Sequence, residues 1–249
     1  MKQILFNTEM VRAILDDRKT QTRRPIKAPG NEYHYDRLLG DWGLSREPEI
    51  IKIKREHCLP TKFNKDKYTL AWELQTEVDG SAIFYGRLPY QPGETLYVRE
   101  TWKIEEFNCS SMEMEINYEA DEIWESIEFS SGRFEKFKKY YDKNGWQPNI
   151  FMPKEAARIF LNVTDVRVER IQDITEKDAI AEGTGHGFQM NAGWPDYQHI
   201  NKQGVCELTQ DTARMSFLTL WDFINAKKGY GWDNSPWVWV IEFERTEID

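Results

Sequence analysis

The stretch from Arg18 to Lys27, RKTQTRRPIK, gathers the side chains of this chain best suited to chemistry. Between Arg12 and Lys27 six cations (Arg12, Arg18, Lys19, Arg23, Arg24, Lys27) face two anions (Asp16, Asp17), a local balance of +4 within a chain of net charge -9. Guanidinium and ammonium groups interleaved with the hydroxyls of Thr20 and Thr22 suit an anionic ligand, and charge alone suggests phosphate. The alternative is structural, because cations closing a helix meet the negative pole of its dipole.

Other chemistries are poorly supported. Cys58, Cys109 and Cys206 are odd in number and far apart, with no Cys-x-x-Cys pair, which argues against a disulfide framework and against a thiolate zinc site. His34, His57, His186 and His199 are scattered and lack the His-x-Glu with downstream Cys-x-x-Cys of a zinc-dependent base deaminase, so no metal and no cofactor is expected. Gly183-x-Gly185-x-Gly187 follows a predicted helix, not a strand, and is no dinucleotide fingerprint. A net charge of -9 weighs against extended binding to duplex nucleic acid, which draws its affinity from neutralising many phosphates. The most acidic segment, Lys103 to Glu128, sets nine acids against one lysine and is expected to be a solvated hairpin or insertion. No apolar run approaches the roughly 20 residues that span a bilayer, and the first residues turn polar too soon for a secretory signal; the expectation is a cytoplasmic protein with no membrane partner.

These residues need elements to hold them. Thr8 caps a predicted helix whose apolar stripe is Met10, Val11, Ile14 and Leu15, running to about Asp17. Pro25 cannot continue a central strand, so residues 18–25 form a helix exit followed by a short extended piece. In a regular strand Lys19 and Thr22 would face opposite ways, so sharing a pocket requires that Lys19 belong to the last helical turn and Thr22 open the strand. Further strands are predicted at 68–72, 82–88 and 95–102, the first two around Asp79-Gly80. In the long strand 158–171 the apolar phase shifts between Val163 and Val166, which predicts a bulge near Thr164-Asp165. Thr175-Glu176-Lys177-Asp178 has the form of a capping box for a short helix that carries Glu182 in its last turn and stops at Gly183. A helix over 211–226 shows the stripe Met215, Leu218, Trp221 and Ile224, and Trp237 to Phe243 alternates as a terminal strand. The order implies an α+β domain spanning 1–249 on a bent, mostly antiparallel sheet, with insertions near 28–67, 103–145 and 183–207.

Lys19-Thr20-Gln21-Thr22-Arg23-Arg24 after a helix, then Ile174-Thr175-Glu176-Lys177-Asp178-Ala179 with Glu182, then an aromatic closing strand, resembles the ASCH family of PUA-like β-barrels. Val98-Arg99-Glu100-Thr101-Trp102 and Trp146-x-Pro148-x-x-x-Met152-Pro153 are similar to its large phage and prophage branch. The resemblance covers both ends and several internal blocks but not the insertions. It implies a PUA-like barrel with flanking helices, in a phage- or prophage-encoded protein of a bacterial cell. It also implies nucleic-acid or nucleoside binding, and a small branch of the family hydrolyses the acetyl amide of N4-acetylcytidine. Matched residue by residue, that branch's catalytic lysine, threonine and glutamate fall on Lys19, Thr22 and Glu182. This chain is more than twice as long as those compact enzymes, and Asp178 replaces the residue usual in the helix.

The implied roles are physically coherent. A threonine hydroxyl attacks only when an adjacent base activates it, and Lys19 is a base only when neutral, a state favoured by burial and by the nearby cations Arg18, Arg23 and Arg24. Arg23, Arg24, Arg99, Glu100 and Trp102 are candidate substrate-binding residues. Arg99 and Glu100 are equally read as a salt bridge within a strand, whereas the Trp102 ring could stack on a base. Two function classes follow: an amidohydrolase acting on an acylated nucleoside, and a non-catalytic module binding RNA or a short single strand through Arg18, Arg23, Arg24 and Lys27.

Overall fold

A computed structural model describes residues 1–26, 49–52, 68–76, 80–141, 145–185, 193–201 and 206–248. In chain order the elements are β1 (Lys2–Leu5), α1 (Thr8–Leu15), β2 (Gln21–Pro25), β3 (Glu49–Lys52), β4 (Tyr68–Thr76), β5 (Gly80–Arg87), β6 (Thr95–Arg99), β7 (Trp102–Asn108), β8 (Glu113–Tyr118), β9 (Trp124–Glu128), α2 (Ser131–Lys138), β10 (Phe160–Arg170), α3 (Glu176–Ala181), β11 (Trp194–Pro195), β12 (Thr209–Gln210), α4 (Ala213–Asn225) and β13 (Trp237–Thr246). Lys27 and most of the insertion expected at 28–67 lie outside the described residues, as does Asp79 of the expected turn between β4 and β5.

A five-stranded sheet in the order β1-β6-β10-β13-β2 organises the fold. Only β1 and β6 run parallel; the other three pairs are antiparallel. β13 is apolar on both faces because both are covered. Trp237, Trp239, Ile241 and Phe243 pack with Ile4, Phe6, Val11 and Ile14, while Val238 and Val240 pack with Ile171, Ala179, Phe217 and Trp221. Burial of each such side chain contributes about 1.5–3 kcal/mol. The β10–β13 register shifts between Val163 and Asp165, where the phase change in the sequence placed it. The extra residue returns Val166 to the core, at 6% exposure.

The fold is α+β with mostly antiparallel sheets, but among the described residues the central sheet stays open, with β1 and β2 as its edges. The chain between those edges is α1, which buries Val11 and Ile14 against the sheet instead of supplying a closing strand. The acidic segment after residue 102 is more than a solvated hairpin. β7, β8 and β9 form an antiparallel sheet that packs with α2 around its own core of Trp102, Met114, Ile116, Tyr118, Phe134 and Phe137. A third sheet joins β3, β4 and β5. No helix among the described residues is long and apolar enough to cross a membrane.

Candidate functional site

The exit from α1 sets the geometry of the basic stretch. Asn7, not Thr8, caps the helix by accepting from Met10 N–H. At the other end Asp17 takes the left-handed conformation (φ 56°). Asp17 N–H donates to Ile14 O at 3.1 Å and Arg18 N–H to Ala13 O at 2.8 Å. These are the two bonds of a Schellman closure, with aspartate where glycine is usual. The helix therefore stops before Lys19, which corrects the expectation that Lys19 sits in its last turn. Lys19 instead forms an isolated antiparallel bridge with Glu182, and Thr20 N–H donates to Ala181 O at 2.9 Å. β2 begins one residue later.

The other half of the constellation is held by α3. The capping box is present: Thr175 accepts from Asp178 N–H, and the Asp178 carboxylate accepts from Thr175 N–H. Gln21 Nε2 donates to Asp178 O at 2.9 Å, fastening the start of β2 to this helix. Glu182 is the C-cap residue, followed by Gly183 at φ 81°. A Cβ on Gly183 would lie 2.8 Å from Lys19 Cβ and 2.9 Å from Ala13 Cβ. Gly183→Ala is therefore expected to destabilise the protein by more than the roughly 1–2 kcal/mol of the left-handed conformation alone, and to push Glu182 off Lys19. A lowered urea midpoint together with weakened ligand binding would show both effects.

Three side chains meet in near-complete burial. Lys19 Nζ donates to Glu182 O at 2.7 Å and to Glu182 Oε2 at 3.0 Å. Arg23 Nη1 donates to Glu182 Oε1 at 3.2 Å. The side chains of Lys19, Arg23 and Glu182 are 1%, 0% and 4% exposed. Arg23 Nη2 also meets Glu169 Oε2 at 2.9 Å and Asp178 Oδ2 at 3.6 Å, while its Nε is buried without a partner. Desolvation lowers the proton affinity of Lys19 below that of an ordinary lysine; Glu182 pulls it back up, and Arg24 and Arg23 lower it further by repulsion. Burial is thus the main cause and the neighbouring arginines a secondary one. Arg18 takes no part: it pairs with Asp16 and donates to Gly183 O, largely in solvent. Arg24 Nη2 donates to Leu5 O at 2.8 Å, and its guanidinium lies 5.5 Å from the Phe6 ring centroid, with Lys19 Nζ at 5.7 Å from the same ring.

Above this cluster lies a pocket between the outer edge of β2, Met10 of α1 and the face of α4, enclosing about 400 Å³ of empty space including its open mouth. Its apolar wall is Met10, Phe217, Leu220, Trp221 and Ile224. Trp221 is fixed by donation from Nε1 to Tyr230 O at 2.7 Å. The polar lining is Thr22, Arg23, Arg24, Glu182 and Asn225. The Thr22 hydroxyl, on a residue 2% exposed, has no hydrogen-bond partner among the described residues, and Lys19 Nζ does not bond to it. In the β2–β13 register Thr22 faces Ile241 and Arg23 faces Val240. Phe243 N–H donates to Thr20 O and Ile26 N–H to Trp237 O. Even-numbered residues of β2 therefore turn their backbone groups to β13, and Arg23 turns its N–H and C=O outward along the free edge.

The remaining substrate-binding candidates are placed elsewhere, beyond the two strands that separate β6 from β2. Trp102 is wholly buried in the β7–β9 core against Phe137 and Tyr140, which leaves no face for a base. Arg99 donates to Ile150 O and lies over Tyr97. Glu100 and Arg158 form a two-pronged pair, Nε to Oε1 and Nη2 to Oε2, both at 3.0 Å, and Arg158 also binds Asp121. Burial pushes the Glu100 carboxyl upward, and Arg158 opposes that shift. Because the Glu100 side chain is 1% exposed and that of Arg158 10%, Glu100→Ala is expected to destabilise by about 3 kcal/mol, the lower end for a broken buried pair, since Asp121 remains. Pocket affinity should not change in the folded fraction; denaturant titration and ligand binding on the same variant check both halves.

Lys19, Thr22, Arg23, Arg24 and Glu182 are thus gathered at one edge of the sheet, while Arg99, Glu100 and Trp102 are not. Two residues of the site lay outside the sequence expectations. Gly183 was visible only as a helix stop, and Asn225 carried no signal, since one asparagine near a helix end matches no motif. Among the described residues no group of His, Cys, Asp and Glu could hold a metal ion. Comparison of the chain with protein-family models, curated proteins and solved structures finds no match.

Proposed function

We propose that the pocket at the β2 edge binds the base of a modified nucleoside, and that Lys19, Thr22 and Glu182 hydrolyse an acyl amide on it, as in N4-acetylcytidine, within a PUA-like sheet left open. One observation carries this reading: a buried lysine of lowered proton affinity, ion-paired to a glutamate, lies beneath a pocket whose lining includes a threonine hydroxyl with no partner. Neutral Lys19 accepts the Thr22 proton as Oγ1 attacks the acyl carbonyl. The C–N bond breaks as Lys19 returns that proton to the leaving amine. Water then gives a proton to Lys19 and attacks the threonine ester; as the ester bond breaks, Lys19 passes that proton to Thr22 Oγ1, releasing the carboxylic acid and restoring the hydroxyl. Lys19 Nζ must turn from the Glu182 carboxylate toward Thr22 for this to proceed, and Glu182 guides it. Arg24 Nη2 donates to Leu5 O, and the guanidinium has further donors for the developing oxyanion.

The test is incubation of the protein with a panel of acylated nucleosides, measuring free carboxylic acid and deacylated nucleoside. Equal release of both supports the reading, and no release from any member defeats the catalytic part of it. A second reading, a non-catalytic reader of a base or a short single strand, is favoured by the donation of Lys19 Nζ to Glu182 and not to Thr22. Polymer binding through several phosphates weakens steeply with salt, whereas capture of a neutral nucleoside barely changes, so affinities at two ionic strengths separate them.

A further inference from the structure

Most of the charge at the site is already engaged. Lys19 and Arg23 are taken by Glu182, Glu169 and Asp178, and Arg24 by Leu5 O and the Phe6 ring. Besides Arg23 Nε and the donors that Arg24 does not spend on Leu5 O, what remains for a ligand is neutral: the Thr22 hydroxyl, the outward N–H and C=O of Arg23, and the side chain of Asn225. Asn225 closes α4, is 7% exposed and lines the pocket. Its main-chain carbonyl accepts from Tyr230 N–H, but its side-chain amide has no hydrogen bond among the described residues and caps no helix. Neither polar atom of this amide is sealed from solvent, so on a residue 7% exposed at the pocket wall it stays free to pair with a ligand.

Resting on the nucleoside reading, we propose that Asn225 is the residue that determines base specificity in this pocket, its amide pairing side by side with an adjacent donor and acceptor on the edge of a nucleobase. A primary amide offers one acceptor and two donors in a plane, and the matching partner is a planar edge with the reverse pattern. The apolar wall includes Phe217 and Trp221, two rings inclined to each other by 37°, and aromatic surface of this kind suits the face of such a ring. A phosphate would instead want free cations and open water. Arg23 offers a second amide-like pair from the β2 edge, so the ring is read by two neutral groups.

Calorimetric titration of wild type, Asn225→Ala and Asn225→Asp with cytidine, uridine, adenosine, N4-acetylcytidine and ribose tests the inference. Wild type is expected to prefer one base and to bind ribose least. Asn225→Ala should weaken the preferred base by roughly 10- to 100-fold, as for loss of a two-bond base contact, and level the ranking without lowering the melting temperature. Asn225→Asp, which has acceptors only, should reorder the bases instead of levelling them. If Asn225→Ala folds poorly, Asn225→Leu, of similar size and without polar atoms, gives the same readout. Affinities and ranking unchanged in the variants overturn the role of Asn225 and leave the pocket reading intact. A wild type that binds no member of the panel overturns both.

Discussion

Glu182→Gln is expected to leave the protein folded but less stable at neutral pH, and to win back part of that loss as pH rises toward the ordinary lysine value of 10.5. Lys19 is held below that value in the folded state, first by desolvation, with Glu182 acting to raise it. The unfolded chain therefore binds the lysine proton more readily, and stability increases with pH between the folded value and 10.5. Removing the carboxylate charge deletes what supported the charged lysine, so the folded value falls further and the window widens at its lower end. The difference between wild type and variant must then shrink as the solution becomes alkaline. Glu182→Ala goes further, taking the oxygens away from two cations whose side chains are 1% and 0% exposed. It should cost about 3–5 kcal/mol at neutral pH, as for any buried pair stripped of one partner. Lys19 can answer by releasing its proton, but Arg23 cannot, and it falls back on Glu169 and Asp178. Denaturant titrations across the alkaline range decide the matter. Parallel curves for wild type and Glu182→Gln would mean that Lys19 and Glu182 are not energetically coupled.

The constellation was readable in the sequence because its local devices are short. A capping box, a helix-stopping glycine and a proline that ends an edge strand each act within a few residues, and each is found at its expected place in Thr175–Asp178, Gly183 and Pro25. The bulge in β10 was readable for the same reason, as a slip of the period-two pattern. The misplaced end of α1 is instructive, since the left-handed turn rests on Asp17, which enters that conformation more readily than most residues but is a far weaker stop signal than glycine. The α4 stripe holds at Trp221, with Leu218 partly buried against the same core, but fails at its start. Met215 is 46% exposed, while Ala213, Phe217 and Trp221 form the buried face, because that helix packs on β13 and α3 and the small residues Ala213 and Ser216 let it approach closely. Arg99, Glu100 and Trp102 could not be sorted from sequence at all. A strand shows which residues alternate, but which sheet covers them depends on contacts far along the chain, here with Arg158, Phe137 and Ile150.

Thr22→Val is expected to lower hydrolysis of an acylated nucleoside on the order of 10³-fold or more, since it removes the nucleophile while keeping the shape of the side chain. The same substitution should not destabilise the fold. Thr22 is 2% exposed and its hydroxyl has no partner among the described residues, so a methyl in its place breaks no hydrogen bond of the fold. Loss of turnover without loss of stability separates a chemical role from a structural one, which Lys19→Met alone would not, because that change also strips Glu182 of a buried partner. The size of the effect then tells the two functions apart. In a reader, the Thr22 hydroxyl contributes one hydrogen bond, and losing it weakens binding by about 0.5–1.5 kcal/mol, a few-fold in affinity. In an enzyme, affinity stays nearly constant and the whole effect falls on the rate. The pH dependence supplies an independent check, because a neutral Lys19 acting as base makes kcat/KM rise with pH through a value below 10.5. In Glu182→Gln any residual activity should show that rise at lower pH, for the reason that governs its stability. A rate profile flat across the same range, with Thr22→Val fully active, would leave the pocket as a binding site in which Lys19 is simply a buried counter-ion.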